Sequence, residues 1–310
     1  MKKIKLHISC LAPVSPDALA LVQNAQYELT FQDKMAADED ALAATIANAD
    51  AVYVGGDDYY SAAVLRRAKN LKLISFGGTG YSSFMDVAAA TAQGITITNT
   101  PGANSKSVAE FAITLALNVV RKMLMLTNHR GGVEKPVGRE LGALKIGLIG
   151  YGRINRHIHK ILTDGFGADV RFWNRTPVDG GTTLDSVLSE SDMIFIAITA
   201  NEQTKNFIDA AKIAKMKRGA ILINPARTTL VDEQAIGRAL QSGQIFTYAV
   251  DGEPEDKELL KLGEDKIIWT PHVAARTSDA WAKTDRMAFK NIVDFFELGT
   301  SENIVNKETK

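Results

Sequence analysis

The stretch Lys145-Ile-Gly-Leu-Ile-Gly-Tyr-Gly-Arg-Ile-Asn155 decides how the rest of the chain is arranged. Ile146, Leu148 and Ile149 form a short apolar run suited to a buried parallel strand. Gly150 and Gly152 then allow a tight turn, and from Arg153 onward the pattern is helical. Strand, glycine-rich turn and helix in this order set a dinucleotide pyrophosphate against a helix N-terminus, where unpaired N–H groups and the helix dipole favour negative charge. Asn155 replaces the third glycine of that fingerprint, which normally lets helix and strand pack closely. Taken by itself, a GxG turn also fits a plain structural turn.

Outward from this unit the chain keeps one rhythm. Downstream, residues 170–173, 193–198, 220–223, 245–250 and 266–269 read as strands, and residues 184–189, 207–216 and 232–241 as helices. Upstream, strands at 4–9, 27–31, 51–54, 71–76 and 95–99 alternate with helices at 16–25, 39–47, 62–69 and 85–93. Ser15 is placed to cap the first of these helices, and Gly94 to close the last. Alternation of this kind predicts parallel sheets covered by helices on both faces. A long helix from about 105 to about 126 joins the two series, with Asn104 as its N-cap. Val108, Phe111, Ala112, Leu115 and Val119 recur along it at helical spacing. That stripe suits either burial within the chain or contact with a second copy. Residues 128–142 read as a loop, and a last helix covers 278–297. The pattern predicts two α/β domains with a cleft between them.

Composition narrows the class. Of 310 residues, 45% are hydrophobic and 23% charged, as in an ordinary globular protein. Thirty-six basic residues balance thirty-six acidic ones, so neither a nucleic-acid footprint nor attachment to an anionic membrane is expected. The single cysteine, Cys10, excludes an internal disulfide framework and any cysteine-rich metal site; a buried, inert thiol is expected. Ile4, Leu6 and Ile8 alternate as in a strand rather than a signal peptide. No uncharged apolar run reaches ~18 residues, so no membrane-spanning helix and a cytoplasmic location are expected.

Three patches after the glycine-rich turn place reactive side chains at strand ends, where open α/β sheets bind ligands. In Ile223-Asn-Pro-Ala-Arg-Thr228, Arg227 presents a planar guanidinium able to hold a carboxylate bidentately, or is a surface arginine in a turn. Val250-Asp-Gly-Glu-Pro-Glu-Asp256 is an acidic cluster that is equally a solvated loop. In Trp269-Thr-Pro-His-Val273, His272 follows a strand and a backbone-fixing proline; a lone histidine there is commonly structural. Together, an arginine, an acid and a histidine at successive strand ends favour chemistry over coincidence.

These residues resemble the D-isomer-specific 2-hydroxyacid dehydrogenases. The likeness covers nearly the whole chain: Gly-Thr-Gly-Tyr at 78–81, Thr98-Asn-Thr-Pro-Gly102, Ser107-Val-Ala-Glu110, 147–155, 224–233, 249–256 and Thr270-Pro-His272. The resemblance implies a Rossmann-type nucleotide domain, residues 99–275, inserted into a flavodoxin-like substrate domain, residues 1–98 and 276–310. It implies that Arg227 holds the carboxylate of a 2-oxo acid and that His272 is the general acid–base group. The acidic partner of the histidine falls on Asp256, with Glu255 beside it as the alternative. Backbone N–H groups of Gly78, Thr79 and Gly80 resemble the family's substrate-binding loop, and a simple strand-to-helix turn has the same sequence. The cofactor-binding set implied is Val108, Gly150, Gly152, Arg153, Ile154, Asn174, Arg175, Thr176, Thr199 and Asp251.

The cofactor follows from the end of the second strand, Phe172-Trp-Asn-Arg-Thr-Pro177. NAD enzymes carry an acid there, ~20 residues past the turn, which bonds the ribose 2′-hydroxyl and repels a 2′-phosphate. Here the position holds the uncharged Asn174, with Arg175 and Thr176 beside it, so NADPH is expected over NADH. The functional expectation is reduction of a small 2-oxo acid, such as glyoxylate or hydroxypyruvate, to the D-2-hydroxy acid. NAD-dependent oxidation in the reverse sense and a nucleotide-sensing protein with little turnover are the alternatives. Family resemblance also implies a homodimer; no metal is implied.

Overall fold

The computed structural model describes residues 2–10, 13–128 and 136–307. The chain divides into two compact units, Met1–Asn104 with Thr277–Lys310, and Ser105–Arg276.

The first unit contains β1 (Ile4–Cys10), α1 (Pro16–Leu19), β2 (Tyr27–Gln32), α2 (Glu39–Ile46), β3 (Ala51–Gly55), α3 (Ala62–Arg67), β4 (Leu73–Phe76), α4 (Val87–Ala92) and β5 (Thr96–Thr98). The five strands are parallel, in the order β2-β1-β3-β4-β5. Asp38, Ser61 and Asp86 start α2, α3 and α4 by accepting a backbone N–H three residues on. Those three helices cover one face, around Leu42, Ile46, Val64, Leu65 and Ile74. The first helix is shorter than expected. Ser15 makes no side-chain cap; its backbone N–H donates to Asp285 instead. Past Leu19 the chain tightens into bonds from Leu21 to Ala18 and from Val22 to Leu19, and Asn24 closes the turn on the Gln26 amide.

The second unit opens with α5 (Ser105–Arg121) and α6 (Met123–Asn128), then β6 (Lys145–Ile149), α7 (Arg153–Lys160), β7 (Asp169–Trp173), α8 (Leu184–Glu190), β8 (Met193–Ile196), α9 (Ala210–Lys215), β9 (Ala220–Asn224), α10 (Glu233–Ser242), β10 (Ile245–Asp251) and β11 (Ile267–Thr270). Its six parallel strands run β11-β10-β9-β8-β6-β7. The order reverses beside β6, which pairs with both β7 and β8. Ile146, Leu148 and Ile149 are fully buried, each worth roughly 1.5–3 kcal/mol against exposure. One face of the sheet carries α5 and α7, and the other buries the apolar side chains of α8, α9 and α10.

The expected long helix is two. Lys122 sits in the left-handed region at φ 56°, and the Val120 carbonyl accepts the N–H of Arg139 from the returning chain. That acceptor is the one a continuous helix would use four residues on. Of the apolar stripe of α5, Val108, Ala112, Leu115 and Val119 are buried within the unit and Phe111 is half-buried against the same core. Of the loop expected at 128–142, residues 129–135 lie outside the described residues, and Asn128 ends α6. The chain finishes in the first unit with α11 (Ser278–Leu298), whose Ala288, Phe289 and Ile292 pack on the sheet face opposite α2–α4.

Candidate active site

The glycine-rich turn lies where the strand order of the second unit reverses. Gly150 has φ 86°, and a Cβ there would stand 2.7 Å from the Ala197 carbonyl of the loop after β8; only glycine fits. A Cβ on Gly152 would meet nothing within 4 Å among the described residues. The Tyr151 amide donates to Asn174 Oδ1 at 2.9 Å. Among the described residues, no acceptor is recorded for the amides of Gly152, Arg153 and Ile154. Three free donors at a helix N-terminus, with open space beside them, fit a pyrophosphate.

Asn155 turns out to be integral to this turn. It is fully buried, and its Nδ2 donates to the Ile149 carbonyl at 3.0 Å and the Gly150 carbonyl at 2.7 Å. The side chain bridges helix and strand end where the fingerprint has close contact across a glycine. Tyr151 folds back on the unit: its ring stacks on Phe172 with centroids 3.6 Å apart, and its hydroxyl is hydrogen-bonded to His159 Nδ1. Burial lowers the His159 pKa, favouring the neutral ring that can accept this bond.

At the end of β7, both arms of the Asn174 amide are committed. Its oxygen takes the Tyr151 N–H and its nitrogen donates to the Thr176 carbonyl at 2.7 Å. Arg175 and Thr176 are exposed. Among the described residues Arg175 makes no ion pair, whereas nearby Arg171 pairs with Asp169 and Glu190.

Arg227, Asp251 and His272 come from the ends of three adjacent strands, β9, β10 and β11, or just beyond them. Asn224, the last residue of β9, fixes the turn carrying Arg227. Its Nδ2 donates to the Arg227 carbonyl and to the Tyr248 hydroxyl, and its Oδ1 accepts from Ala226 N–H. Burial pushes the Arg227 guanidinium down from its usual range, opposed by the Asp251 carboxylate. Asp251 is buried and clamps the next strand's turn: Oδ1 accepts from the Thr270 hydroxyl and Val273 N–H, and Oδ2 from Ala274 N–H. Inside this clamp His272 has φ 54°, a left-handed backbone that costs of order 1–3 kcal/mol for a non-glycine residue. The bonds on both sides of it hold that conformation in an exposed residue. Sequence reasoning assigned Asp251 to cofactor binding and did not see the clamp, whose partners are 19 to 23 residues away.

The acidic alternatives lie on the segment after β10. Glu255 and Asp256 give their amides to the Glu233 carboxylate, and Asp256 Oδ1 accepts Glu258 N–H. Val108 is buried on the first turns of α5. Thr199, exposed on the loop after β8, gives its carbonyl to the Thr204 hydroxyl. A surface hollow lined by Val119, Lys122, Phe246, Thr247 and Ile268 lies toward the opposite strand ends of this sheet, away from Asp251.

In the first unit, the loop after β4 begins with the Gly77 amide on the Val54 carbonyl. Gly78 O accepts Thr100 N–H, and Thr79 O accepts Asn99 Nδ2. Among the described residues no acceptor is recorded for the amides of Gly78, Thr79 and Gly80.

The family model described as D-isomer specific 2-hydroxyacid dehydrogenase, NAD binding domain, matches residues 112–274. A hydroxypyruvate reductase of Thermotoga maritima is 31% identical, over 96% of this chain and 100% of that protein. A glyoxylate reductase of Thermofilum pendens is 32% identical, over 86% of this chain and 84% of that one. Among solved structures, the TT0316 protein of Thermus thermophilus superposes with a TM-score of 0.85 at 25% identity, covering 97% of this chain and 100% of the other.

Proposed function

The chain belongs to the D-isomer-specific 2-hydroxyacid dehydrogenase family, and from that premise we propose that it uses NADPH to reduce a small 2-oxo acid to the D-2-hydroxy acid. The observation that carries the reading is the alignment of Arg227, Asp251 and the His272 turn on the ends of three neighbouring strands. The relatives named as hydroxypyruvate and glyoxylate reductases support the substrate class.

In this reading Arg227 holds the substrate carboxylate through two parallel N–H donors. Its half-buried position strengthens that pairing by limiting competition from water. His272 gives its proton to the ketone oxygen as C2 is reduced, help typically worth ~10²–10⁴ in rate. Asp251 keeps the imidazole in place through the backbone on either side of it. Asp256, or Glu255 beside it, favours the protonated imidazole by its charge. The amides of Gly78, Thr79 and Gly80 are the first unit's donors for the substrate.

The amides of Gly152, Arg153 and Ile154 would hold the pyrophosphate of the dinucleotide, with Val108, Thr199 and Asp251 assigned to its remaining contacts. When bound, the reduced nicotinamide supplies the hydride. The phosphate-bearing form is supported by Asn174, which is neutral and already doubly bonded, and by the unpaired cation of Arg175 with the Thr176 hydroxyl. A nucleotide sensor with little turnover is the alternative: Asn155 and an aspartate at 256 in place of the family's glutamate would fit it, and the bonds that Asn155 makes inside the turn answer the first of these.

The experiment is initial-rate kinetics with glyoxylate and hydroxypyruvate, NADPH against NADH. Turnover near or above ~1 s⁻¹ and a higher kcat/KM for NADPH are expected. His272→Ala should abolish reduction with NADPH affinity retained. A tenfold preference for NADH, or full activity in His272→Ala, would overturn the cofactor or the acid–base assignment respectively.

A further inference from the structure

The first unit holds a buried polar pair that the proposed chemistry does not use. Tyr53 on β3 donates its hydroxyl to Asp285 Oδ1 on α11 at 2.5 Å, across 232 residues of sequence. The other oxygen, Oδ2, accepts the Ser15 amide at 2.8 Å. Both residues are buried, and burial pushes the Tyr53 hydroxyl and the Asp285 carboxyl up. Taking a carboxyl group out of water is costly unless its hydrogen bonds are made inside, and apolar side chains of similar volume often replace buried polar groups without loss of stability. Stability alone therefore does not account for it.

What the pair touches is informative. A Cβ on Gly77 would stand 2.8 Å from Tyr53 Oη, and one on Gly55 would stand 3.0 Å from the same atom. The tyrosine tip thus lies directly under the backbone where β3 and β4 end, and Asp285 ties that tip to the segment after β1. These are the loops at the carboxyl edge of the parallel sheet, and the strand order β2-β1-β3-β4-β5 reverses between β1 and β3. Ligands of open α/β sheets bind at that edge. Gly77 leads directly into the free amides of Gly78, Thr79 and Gly80. The Gly78 and Thr79 carbonyls are held by Thr100 and Asn99, and Asn99 is itself held through its carbonyl by Asn291 of α11.

We propose that Tyr53 and Asp285 are positioning residues for 2-oxo acid recognition, setting from beneath Gly77 the height and tilt of the Gly78, Thr79 and Gly80 amides, while the Gly77 amide itself is held by the Val54 carbonyl. This inference rests on the reading of those amides as substrate donors. Reacting and binding groups tolerate little displacement, since a 1 Å misplacement can cost about a hundredfold in rate.

The test compares Tyr53→Phe, which keeps the ring and removes the hydroxyl, with the double variant Tyr53→Phe/Asp285→Asn, which also removes the buried charge while keeping an acceptor for Ser15. KM and kcat for glyoxylate, the Kd for NADPH, the Tm, and amide hydrogen exchange over residues 76–81 are measured on the full chain. Tyr53→Phe should raise the KM for glyoxylate roughly tenfold or more, speed exchange at 76–81, and leave the Kd for NADPH unchanged. In the double variant the Tm should recover toward wild type while KM and exchange do not. A purely structural pair predicts instead that KM and exchange recover with the Tm, and that outcome overturns the proposal, as does wild-type KM and exchange in Tyr53→Phe. If the wild-type chain reduces no 2-oxo acid, the functional reading fails; the exchange measurement still decides whether the pair holds this loop.

Discussion

At the scale of single residues, the most informative side chains are two asparagines. Asn155 stands where a glycine is expected, and its buried amide nitrogen satisfies two carbonyls at the start of the dinucleotide turn. Asn155→Gly restores the family fingerprint in sequence yet takes the side-chain donor from the Gly150 carbonyl, while the Ile149 carbonyl keeps the Ala197 N–H. It should lower stability by about 1–3 kcal/mol and weaken NADPH binding, read by urea unfolding and by fluorescence titration. A variant as stable and as tight-binding as wild type would show the two bonds to be dispensable. Asn174 works by occupancy: holding Tyr151 and Thr176, it keeps the turn that carries Arg175 without adding negative charge. Arg175→Ala should cost NADPH about 1.5–3 kcal/mol of binding and leave NADH affinity unchanged. Equal losses for both cofactors would place Arg175 outside 2′-phosphate recognition.

At the scale of elements, the strands follow from the sequence more closely than the helices do. Each buried parallel strand is a short apolar run, because both of its faces are covered. That made β6, β8 and β9 legible, with ends displaced by no more than a residue or two. The break of the long helix at Lys122 has no such mark, because it depends on Arg139 returning to the Val120 carbonyl. Gly147 illustrates the reverse case, a glycine that reads as part of the nucleotide motif but acts in packing. It lies inside β6, where an added Cβ would come within 2.4 Å of Ser191 Oγ and 2.8 Å of Val187 Cγ1. Gly147→Ala should therefore destabilise the unit by roughly 1–3 kcal/mol through overpacking. The change should appear in the urea midpoint, with KM for NADPH nearly constant. An unchanged midpoint would mean that α8 can shift away at little cost.

At the scale of the whole molecule, pH reaches stability through a buried imidazole on β1. His7 on β1 is buried between Thr30 and Gln32, and burial lowers its pKa from 6.5. Below about 6.5 the unfolded chain takes up a proton that the folded chain resists, so unfolding gains. The contribution is complete above pH 6.5 and is lost progressively as pH falls toward the lower folded-state value. Urea midpoints should decline across this window, and His7→Gln should decline less steeply; equal slopes in the two proteins would remove His7 from the account. His159 shifts in the same direction, so the difference between the two proteins, rather than the wild-type slope alone, is the measure. Among the described residues, no helix is long and apolar enough to cross a membrane.

The sequence by itself determined the two α/β series, the glycine-rich turn between strand and helix, and the family. Periodicity and glycine placement are local consequences of backbone geometry, legible within a dozen residues. Only the tertiary structure decided what Asn155, Asn174, Asp251 and Tyr53 do. The partners of Asn155 lie five and six residues away yet are invisible to pattern, those of Asn174 and Asp251 reach 23 residues away, and that of Tyr53 lies 232 residues away. A side-chain hydrogen bond has no sequence period: it exists only once packing has brought donor and acceptor within about 3 Å and excluded the water that would otherwise satisfy both.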